Sequence, residues 1–398
     1  MRSILAETSM KSRIQSVDAL RGLVMIIMAL DHVRDFVHSD VRFYQPDDLA
    51  RTTAALFFTR WITHICAPVF MFTAGLGAFF WLSRGRTIGQ LSRFLWTRGL
   101  WLVLLELTVL RLGMNFTFFS GLVMLSVLWA LGWSMVALGF LARLPVRALA
   151  VLSVAVIALH NLCDPVMASQ FGGAAWIWNL LHQPGTFRLG GVFFHAAYPL
   201  VPWIFVMSAG FCFGELFQRD PAQRRQILTR IGLAMTAAFL VVRALNIYGD
   251  PVPWSTLFPG MTVLSFLKCT KYPPSLDFLL MTLGPAILIL AWFDRLAFPR
   301  TNPLIVFGRT PLFYFLGHFF LAHGLAVLLA FVRHGRAGFI LDIIPPMHGP
   351  APVFPANYGL SLPGVYAVWI GVVVMMYPLC LWFARLKERS RAWWLSYL

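Results

Sequence analysis

The stretch DALRGLVMIIMALDHVRDFV at residues 18–37 decides the fold class. Its centre, residues 22–30, contains only apolar side chains and glycine, and charged residues stand on both sides of it. About 20 residues are needed for an α-helix to cross the roughly 30 Å hydrocarbon layer of a bilayer. The stretch therefore predicts a membrane-spanning helix that begins and ends in charged residues.

The rest of the chain has the same character. Of its 398 residues, 59% are hydrophobic and 12% are charged, and the mean hydropathy is +0.73. Soluble domains are about one quarter charged, so this composition excludes a soluble enzyme, a disordered chain and a secreted disulfide scaffold. It predicts an all-α, polytopic membrane bundle of ten helices, or eleven with a re-entrant segment. The predicted spans are 18–37, 61–82, 94–112, 121–141, 145–161, 197–217, 228–246, 277–293, 310–332 and 363–384.

The formal net charge is +16, from 32 Lys and Arg against 16 Asp and Glu. We attribute this excess to basic cytoplasmic loops, which are typical of membrane proteins, and predict no nucleic-acid partner. Alternating the ten spans from a cytoplasmic N-terminus puts most basic residues on the cytoplasmic side, so both termini are predicted there. The predicted domains are a cytoplasmic leader (1–16), one transmembrane domain (17–386) and a basic, aromatic cytoplasmic tail (387–398).

The predicted outer loops are longer than the inner ones, which favours an acceptor site outside. In the second of them, Trp176 and Trp178 predict a helix lying at the membrane surface. The five cysteines show no metal-binding spacing, and the histidines do not recur at H-x-x-x-H on one helix, so we predict no metal. We leave open whether Cys163 and Cys269, both in predicted outer loops, form a disulfide.

The first predicted span carries the densest set of ionisable residues. Arg21 and His32 are just over three helical turns apart, so they share a helix face about 16 Å apart along the axis. Met25 and Met28 lie between them on that face. Asp35 follows His32 by about one turn and can orient its imidazole. Such groups usually face a bundle interior or a wet cavity; the alternative is that they anchor the helix ends at the two interfaces.

This layout suits acyl transfer. An acyl-CoA would place its phosphates near Arg21, run its pantetheine arm along the apolar strip and present its thioester to His32. A neutral imidazole would take the proton from an attacking hydroxyl or amine. His38 competes with His32 for the catalytic role, and Asp31 is assigned to acceptor binding. Direct transfer and an acyl-histidine intermediate both stay open.

The ninth predicted span contains the second cluster, Arg309, Tyr314 and His318, which we assign to acyl-CoA binding. A buried, hydrogen-bonded structural role is the alternative for His318. Glu106 is the one carboxylate deep in the third predicted span. We expect it to pair with an inner arginine or with His318.

The segment before the eighth span supplies the acceptor candidates. Lys271 and Tyr272 are assigned to acceptor binding because they stand at the predicted outer edge of the membrane. Pairing of Lys271 with Asp277 is the alternative. Ser275 is predicted to cap the helix that follows.

A second class of function rests on similarity between two spans. Residues 64–75 and 195–210 both contain His, then Pro, then Ala-Gly. Parallel repeats occur in transporters, but small-residue helix packing produces the same pattern. A transporter or exporter of a small or lipid-linked solute is therefore the alternative to acyl chemistry, and a purely structural scaffold is a third.

Four sets of motifs resemble a known family. They are Arg13–Gly22 with Asp31–Asp35, Pro68–Gly75, Lys271–Ser275 with Thr282–Pro285, and Phe307–Tyr314 with His318. Together they resemble bacterial membrane proteins similar to the heparan-alpha-glucosaminide N-acetyltransferase catalytic domain, over about residues 13–390. The spacing of Arg21 and His32 is also similar to that of the membrane acyltransferase-3 proteins.

The resemblance implies an enzyme of the bacterial cytoplasmic (inner) membrane that moves an acyl group, with acetyl favoured, from cytoplasmic acyl-CoA (acetyl-CoA) to a sugar-like acceptor outside. Its partners would be the lipid bilayer, the acyl-CoA donor and a carbohydrate-like acceptor, and a homodimer is considered. In the membrane acyltransferase-3 proteins the corresponding arginine and histidine are tied to handling of the acyl donor, and this carries over to Arg21 and His32. A histidine after the first span is catalytic in the lysosomal relative, and residues 31–38 here differ from its pattern. His32 and His38 therefore both remain candidates.

Overall fold

The computed structural model describes residues 14–40, 43–116, 121–258, 260–341, 353–355, 357–390, 392 and 395. Most of the predicted leader 1–16, including Arg13, lies outside the described residues, as does half of the predicted tail 387–398. The described chain is predominantly helical.

The described residues contain fifteen α-helices. They are α1 Gln15–Val37, α2 Ala54–Trp61, α3 Cys66–Leu82, α4 Ile88–Leu105, α5 Arg111–Asn115, α6 Val127–Leu141, α7 Val146–Leu159, α8 Ala175–Leu181, α9 Trp203–Phe213, α10 Pro221–Leu245, α11 Met261–Leu267, α12 Leu276–Phe293, α13 Pro303–Arg309, α14 Pro311–His334 and α15 Leu362–Arg389. A 3₁₀ turn, Ile62–Ile65, joins α2 to α3, and a π-helical turn, Glu106–Leu110, joins α4 to α5. Each predicted span overlaps one of these helices.

Six stretches of the described chain are long and apolar enough to cross a membrane. They are Ala54–Leu82, Val146–Cys163, Pro221–Leu245, Leu276–Phe293, Pro311–His334 and Leu362–Arg389. Helices α6 and α9 are apolar but shorter. Helix α1 is long enough but carries more charge than the six. The chain is a multi-pass membrane protein; the count of ten spans and the sides of the termini remain predictions.

A small sheet was not predicted from the sequence. Strand β1 (Leu122–Leu125) pairs in parallel with β3 (Val192–Ala196), which pairs antiparallel with β2 (Gly185–Leu189). The helix predicted over 121–141 therefore begins only at Val127. Successive β1 residues alternate between half-buried and buried, as in a strand with one covered face. The fold is predominantly helical rather than purely α.

Helix α1 lies in the middle of the bundle, where it packs against α3, α12, α13, α14 and α15. Most of its side chains are buried, including those of Asp18, Asp31 and Arg34. Its charged residues thus face protein rather than lipid, which is where ionisable groups in a membrane are usually found.

The closest approach to α1 is made by α13 through two glycines. A Cβ atom on Gly22 would lie 1.8 Å from the carbonyl oxygen of Leu304, and one on Gly308 would lie 1.8 Å from that of Asp18. No side chain fits between these backbones. In a bilayer, where apolar side chains gain little by leaving lipid, such close contacts between small residues favour helix association.

Glycines also join α3 to α9, the two spans that look alike in sequence. A Cβ on Gly75 would lie 1.8 Å from the oxygen of Met207, and one on Gly210 would lie 2.0 Å from that of Phe72. The shared Ala-Gly thus has a packing explanation. His195 lies in β3, unlike His64 in the 3₁₀ turn, so the two histidines do not occupy equivalent places.

All five cysteines are free, so the disulfide considered between Cys163 and Cys269 is not formed. Within the described ranges, no group of three or more His, Cys, Asp or Glu side chains is placed to hold a metal ion. Of the two tryptophans of α8, Trp178 is half-buried, and its indole N–H donates to the carbonyl oxygen of Val166 (2.7 Å). Trp176 is 36% exposed. That α8 lies at the membrane surface remains a prediction.

Candidate active site

Two histidines from distant parts of the chain meet inside the bundle. The Nδ1 atom of His32, on α1, lies 2.7 Å from Nε2 of His318, on α14. The rings stack with their centroids 5.0 Å apart. His318 is fully buried, whereas His32 is half-buried. His318 therefore holds the imidazole of His32, and His32 keeps some access to open space.

The positions of the hydrogens on the two imidazoles follow from a third group, the carbonyl oxygen of Tyr314. Nδ1 of His318 lies 3.0 Å from the carbonyl oxygen of Tyr314, which can only accept, so this nitrogen carries the hydrogen. Nε2 of neutral His318 is then an acceptor, and Nδ1 of His32 donates to it. Among the described residues, none hydrogen-bonds Nε2 of His32. Its lone pair is free to act as a base or a nucleophile.

Aromatic rings fix the histidine pair. Phe319 packs on His32 with ring centroids 4.2 Å apart, and Phe315 meets the same ring edge-to-face at 6.3 Å. Tyr314 stacks on His318 at 5.5 Å and is fully buried. Tyr314 and His318, which the sequence assigned to acyl-CoA binding, therefore form the support of His32. The two phenylalanines were not predicted, because apolar spans offer many equivalent aromatics.

A wide cavity of about 1020 Å³ lies where α1 and α10 begin and α3 and α12 end. We call this end of the bundle the Arg21 side and the opposite end the Lys271 side. Asp18, Arg21, Arg84 and Arg219 are among the residues that line the wide cavity. The guanidinium of Arg21 also donates to the carbonyl oxygen of Thr73. Asp220, Arg224 and Asp294 also line it, and Arg224 pairs with Asp294 at 2.8 Å, so the arginines of the wall outnumber its aspartates by one.

A second cavity of about 250 Å³, which we call the narrow cavity, shares part of its wall with the wide one. Arg21 and Gly77 line both cavities. Farther along, the walls of the narrow cavity are mostly apolar and include Met25 and Phe315. Because Phe315 contacts His32, the narrow cavity reaches the wall next to the reactive imidazole. Arg21 thus stands where the two cavities share a wall.

Arg309 lies apart from both cavities. Its guanidinium pairs with the carboxylate of Glu388 near the end of α15. It is not among the residues that line the wide or the narrow cavity. The assignment of Arg309 to acyl-CoA binding therefore finds no geometric support.

An ion-pair network at the Lys271 side engages two of the α1 residues that were assigned to the site from the sequence. Asp31 is shared by two arginines: Nη1 of Arg34 lies 2.7 Å from its Oδ1, and Arg60 contacts its Oδ2. Arg34 also pairs with Asp35 at 2.6 Å. Asp35 is therefore turned toward Arg34 and does not orient His32, and Asp31 is occupied by arginines rather than open to an acceptor. Arg60 was not a predicted site residue.

Lys271 and Tyr272 lie half-buried beside this network. The ammonium of Lys271 stands 5.2 Å from the centroid of the Tyr272 ring, and the Tyr272 hydroxyl donates to that of Tyr198 at 3.3 Å. Lys271 and Tyr272 thus lie together at the end of the bundle opposite Arg21.

The loop that carries Lys271 is built on a buried carboxylate. Asp250 accepts hydrogen bonds from the backbone N–H of Thr270 (2.7 Å) and from the hydroxyl of Ser275 (2.6 Å). The Ser275 oxygen accepts from the N–H of Phe278 (3.1 Å), so the predicted cap of α12 is confirmed. The backbone on either side of Lys271 is therefore held in place.

Buried Arg243 of α10 completes this support. It donates to the carbonyl oxygens of Phe266, Val252, Ser265 and Lys268. It also lies 3.7 Å from Asp277. Asp277 is thus paired with Arg243, and the alternative pairing with Lys271 is not found.

His38 ends α1 and has a structural environment. Its Nδ1 accepts from the backbone N–H of Asp40 at 3.2 Å, and its backbone forms a bridge with Leu360. It is buried, and this burial lowers its pKa from 6.5. Its position, about 9 Å along α1 from His32, separates it from the histidine pair.

Glu106 accepts hydrogen bonds mainly from backbone N–H groups, which cannot be recognised from the amino-acid types in the sequence. Its Oε1 accepts from the N–H and hydroxyl of Ser126 (3.0 and 2.6 Å), and its Oε2 accepts from the N–H groups of Leu128 (3.0 Å) and Trp129 (3.2 Å). These are the free N–H groups that begin α6, where the helix dipole also favours negative charge. The expectation that Glu106 pairs with an arginine or with His318 is therefore wrong.

These features define a multi-pass membrane protein with a supported imidazole between a basic cavity and a charged cluster. The sequence model of the family described as "Heparan-alpha-glucosaminide N-acetyltransferase, catalytic" matches residues 13–249. This range is more than half of the chain, so the chain belongs to that family, and the resemblance inferred from its motifs is confirmed. The family indicates a membrane acetyltransferase. No curated protein matches the chain.

Proposed function

We propose that this protein transfers an acetyl group from acetyl-CoA, bound at the Arg21 side, to a hydroxyl or amine of a carbohydrate-like acceptor at the Lys271 side. The observation that carries the proposal is the free Nε2 of His32, which His318 fixes between the narrow cavity and the Lys271 cluster. The Arg21 side would face the cytoplasm of a bacterium, with both termini, in agreement with the distribution of basic residues.

The two cavities suit the two parts of coenzyme A. Arg21, Arg84 and Arg219 give the wide cavity the guanidinium groups that bind phosphates well. The mostly apolar narrow cavity suits the slender pantetheine arm. A thioester at its inner end would lie beside Phe315 and hence near His32.

The chemistry uses both nitrogens of His32. Nε2 removes the proton from the acceptor hydroxyl or amine while its oxygen or nitrogen attacks the thioester carbonyl carbon. The C–S bond then breaks, its electron pair leaves on sulfur, and the proton passes from the imidazolium to the thiolate. The products are CoA and the acetylated acceptor. His318 stabilises the transient imidazolium by accepting from Nδ1, and the charges of Arg60 and Lys271 favour a negative carbonyl oxygen.

A covalent route uses the same nitrogen. Nε2 would attack the thioester first, release CoA and carry the acetyl group until the acceptor arrives. Incubation with labelled acetyl-CoA without acceptor distinguishes the two routes. Label that stays on denatured wild-type protein, and is absent from His32→Ala, indicates the acyl-histidine; no label on either indicates direct transfer.

The proposal is tested by purified protein in lipid nanodiscs, where both sides are accessible. We expect wild type to release CoA from acetyl-CoA and to acetylate an amino sugar. His32→Ala should lower CoA release by about 100-fold or more. His38→Asn, which keeps a hydrogen-bond acceptor near the Nδ1 position, should remain within about twofold of wild type. Full activity in His32→Ala would refute the proposal, and solute flux without any acetylated product would favour the transport alternative.

A further inference from the structure

The narrow cavity ends at two buried leucines. Helix α4 begins at the Arg21 side, because the loop before it contains Arg84, which lines the wide cavity. Among the α4 residues that line the narrow cavity, Phe94 therefore lies nearest to the wide cavity, and Leu102 lies about 12 Å farther along the helix axis. Helix α6 runs antiparallel to α4, so Leu128 in its first turn lies near the level of Leu102. We call Leu102 and Leu128 the cavity floor.

The backbone that carries the cavity floor is fixed. Glu106 accepts from the N–H of Leu128 (3.0 Å), and this bond holds the first turn of α6 against the end of α4. About one turn away, Gly99 and Gly132 bring the two backbones together, since a Cβ atom on either would lie 2.5 Å from the carbonyl oxygen of the other. Both leucines of the floor are almost fully buried. They therefore have little freedom to move away from a ligand.

The narrow cavity has little room beyond a pantetheine arm. Its volume of about 250 Å³ lies below the roughly 300–1,000 Å³ of sites for drug-sized ligands. Phe315 lines this cavity and contacts the ring of His32, so a thioester that reacts with His32 lies beside Phe315. The acyl tail then extends from the thioester carbon into the space between Phe315 and the cavity floor. That space limits the length of the tail.

We propose that Leu102 and Leu128 determine which acyl groups the protein accepts, because they leave room for an acetyl group and exclude butanoyl and longer groups. The inference rests on the proposed function, which places the thioester beside Phe315. A longer tail would have to displace buried side chains whose backbone cannot retreat, and extra methylenes in a packed apolar site are disfavoured. In hydrophobic pockets one methylene changes the specificity by about 10- to 200-fold.

The test compares acetyl-CoA, butanoyl-CoA and hexanoyl-CoA as donors in nanodiscs, with glucosamine as the acceptor and kcat/KM for CoA release as the readout. We expect wild type to use butanoyl-CoA at least about tenfold less well than acetyl-CoA, and hexanoyl-CoA less well still. Leu128→Ala removes more carbon than butanoyl adds to acetyl, so it should bring the two kcat/KM values to within about threefold of each other. Leu102→Val removes less and should give a smaller change in the same direction.

Leu138→Ala is the matched control. It removes the same atoms as Leu128→Ala from a fully buried position of α6, and Leu138 is not among the residues that line the wide or the narrow cavity. It should lower the Tm by a similar amount and leave the acyl preference unchanged. If Leu128→Ala does not fold, the milder Leu102→Val decides the question.

The proposed role of the cavity floor and the proposed function fail in different ways. Equal use of the three donors by wild type, a preference that survives both floor substitutions, or an equal loss of preference in Leu138→Ala would refute the role of the floor. The proposed function would still stand in each of these cases, provided that CoA release from acetyl-CoA is lost in His32→Ala. Release that continues in His32→Ala would refute the proposed function, and the role of the floor with it.

Discussion

The imidazoles of His32 and His318 are joined by a hydrogen bond of 2.7 Å, although they are 286 residues apart in the chain. The bond ties α1, which reaches the wide cavity at Arg21, to α14, whose Tyr314 carbonyl sets the direction of the hydrogen bonds. In this arrangement Nδ1 of His32 donates to His318, and Nε2 of His32 is left available for chemistry.

His318 is expected to act through His32 rather than on the donor. His318→Ala should lower kcat for CoA release by about 10- to 100-fold, because Nδ1 of His32 loses the acceptor that orients it. The KM for acetyl-CoA should not change, since His318 does not line either cavity. His318→Gln should recover part of the rate by offering an acceptor oxygen. Steady-state kinetics decide the question: a raised KM with unchanged kcat would show that His318 binds the donor.

Arg21 and Arg309 should differ in their effect on donor binding. Arg21→Gln removes a cation from the junction of the two cavities and should raise the KM for acetyl-CoA about tenfold. Arg309→Gln is the matched control, because this arginine pairs with Glu388 away from the cavities, and its KM should stay near that of wild type. Equal effects of the two substitutions would contradict the proposed path of coenzyme A.

The contact between α3 and α9 should tolerate no side chain at Gly75. Gly75→Ala places a Cβ atom 1.8 Å from the Met207 oxygen, so the helices must separate. We expect a loss of about 1 to 3 kcal/mol in the free energy of unfolding, measured as a lowered Tm in detergent. Gly324→Ala in α14 is the control, because nothing lies within 4 Å of its added methyl group. Equal Tm values for the two variants would show that the close glycine contact is not important for stability.

The protein should become less stable as the pH is lowered, and protonation of His38 should account for part of this loss. Burial lowers the pKa of folded His38 from 6.5, so on acidification the unfolded chain takes up a proton before the folded chain does. The contribution of His38 is therefore present above about pH 6.5 and is lost as the pH falls below that value. His38→Asn cannot titrate and should flatten the fall in Tm between about pH 7.5 and 5.5. An unaltered pH profile would rule out this role of His38.

Much of the helical fold could be predicted because apolar length is a local property of the sequence. Strand β1 was missed because Leu122–Leu125 is an apolar run directly before a helix, and such a run satisfies either structure. Its pairing with β3 depends on a segment some seventy residues later, which no local pattern reveals.

Only part of the candidate site could be predicted from the sequence. Arg21 and His32 lie on one helix, so their spacing could be calculated. The partner of His32 could not, because the approach of His318 depends on how α14 packs on α1. Glu106 was assigned a charged partner, yet it binds backbone N–H groups, which every residue except proline possesses and which no residue type signals.

The central claim is that an acetyl group crosses the bundle by way of His32. The most direct measurement uses sealed vesicles that contain the protein and enclose the sugar acceptor, with labelled acetyl-CoA supplied only outside. Molecules whose Arg21 side faces outward should produce labelled acceptor inside the vesicles, and His32→Ala should produce none. Label that appears only when donor and acceptor share a compartment, or transfer that continues in His32→Ala, would contradict the account.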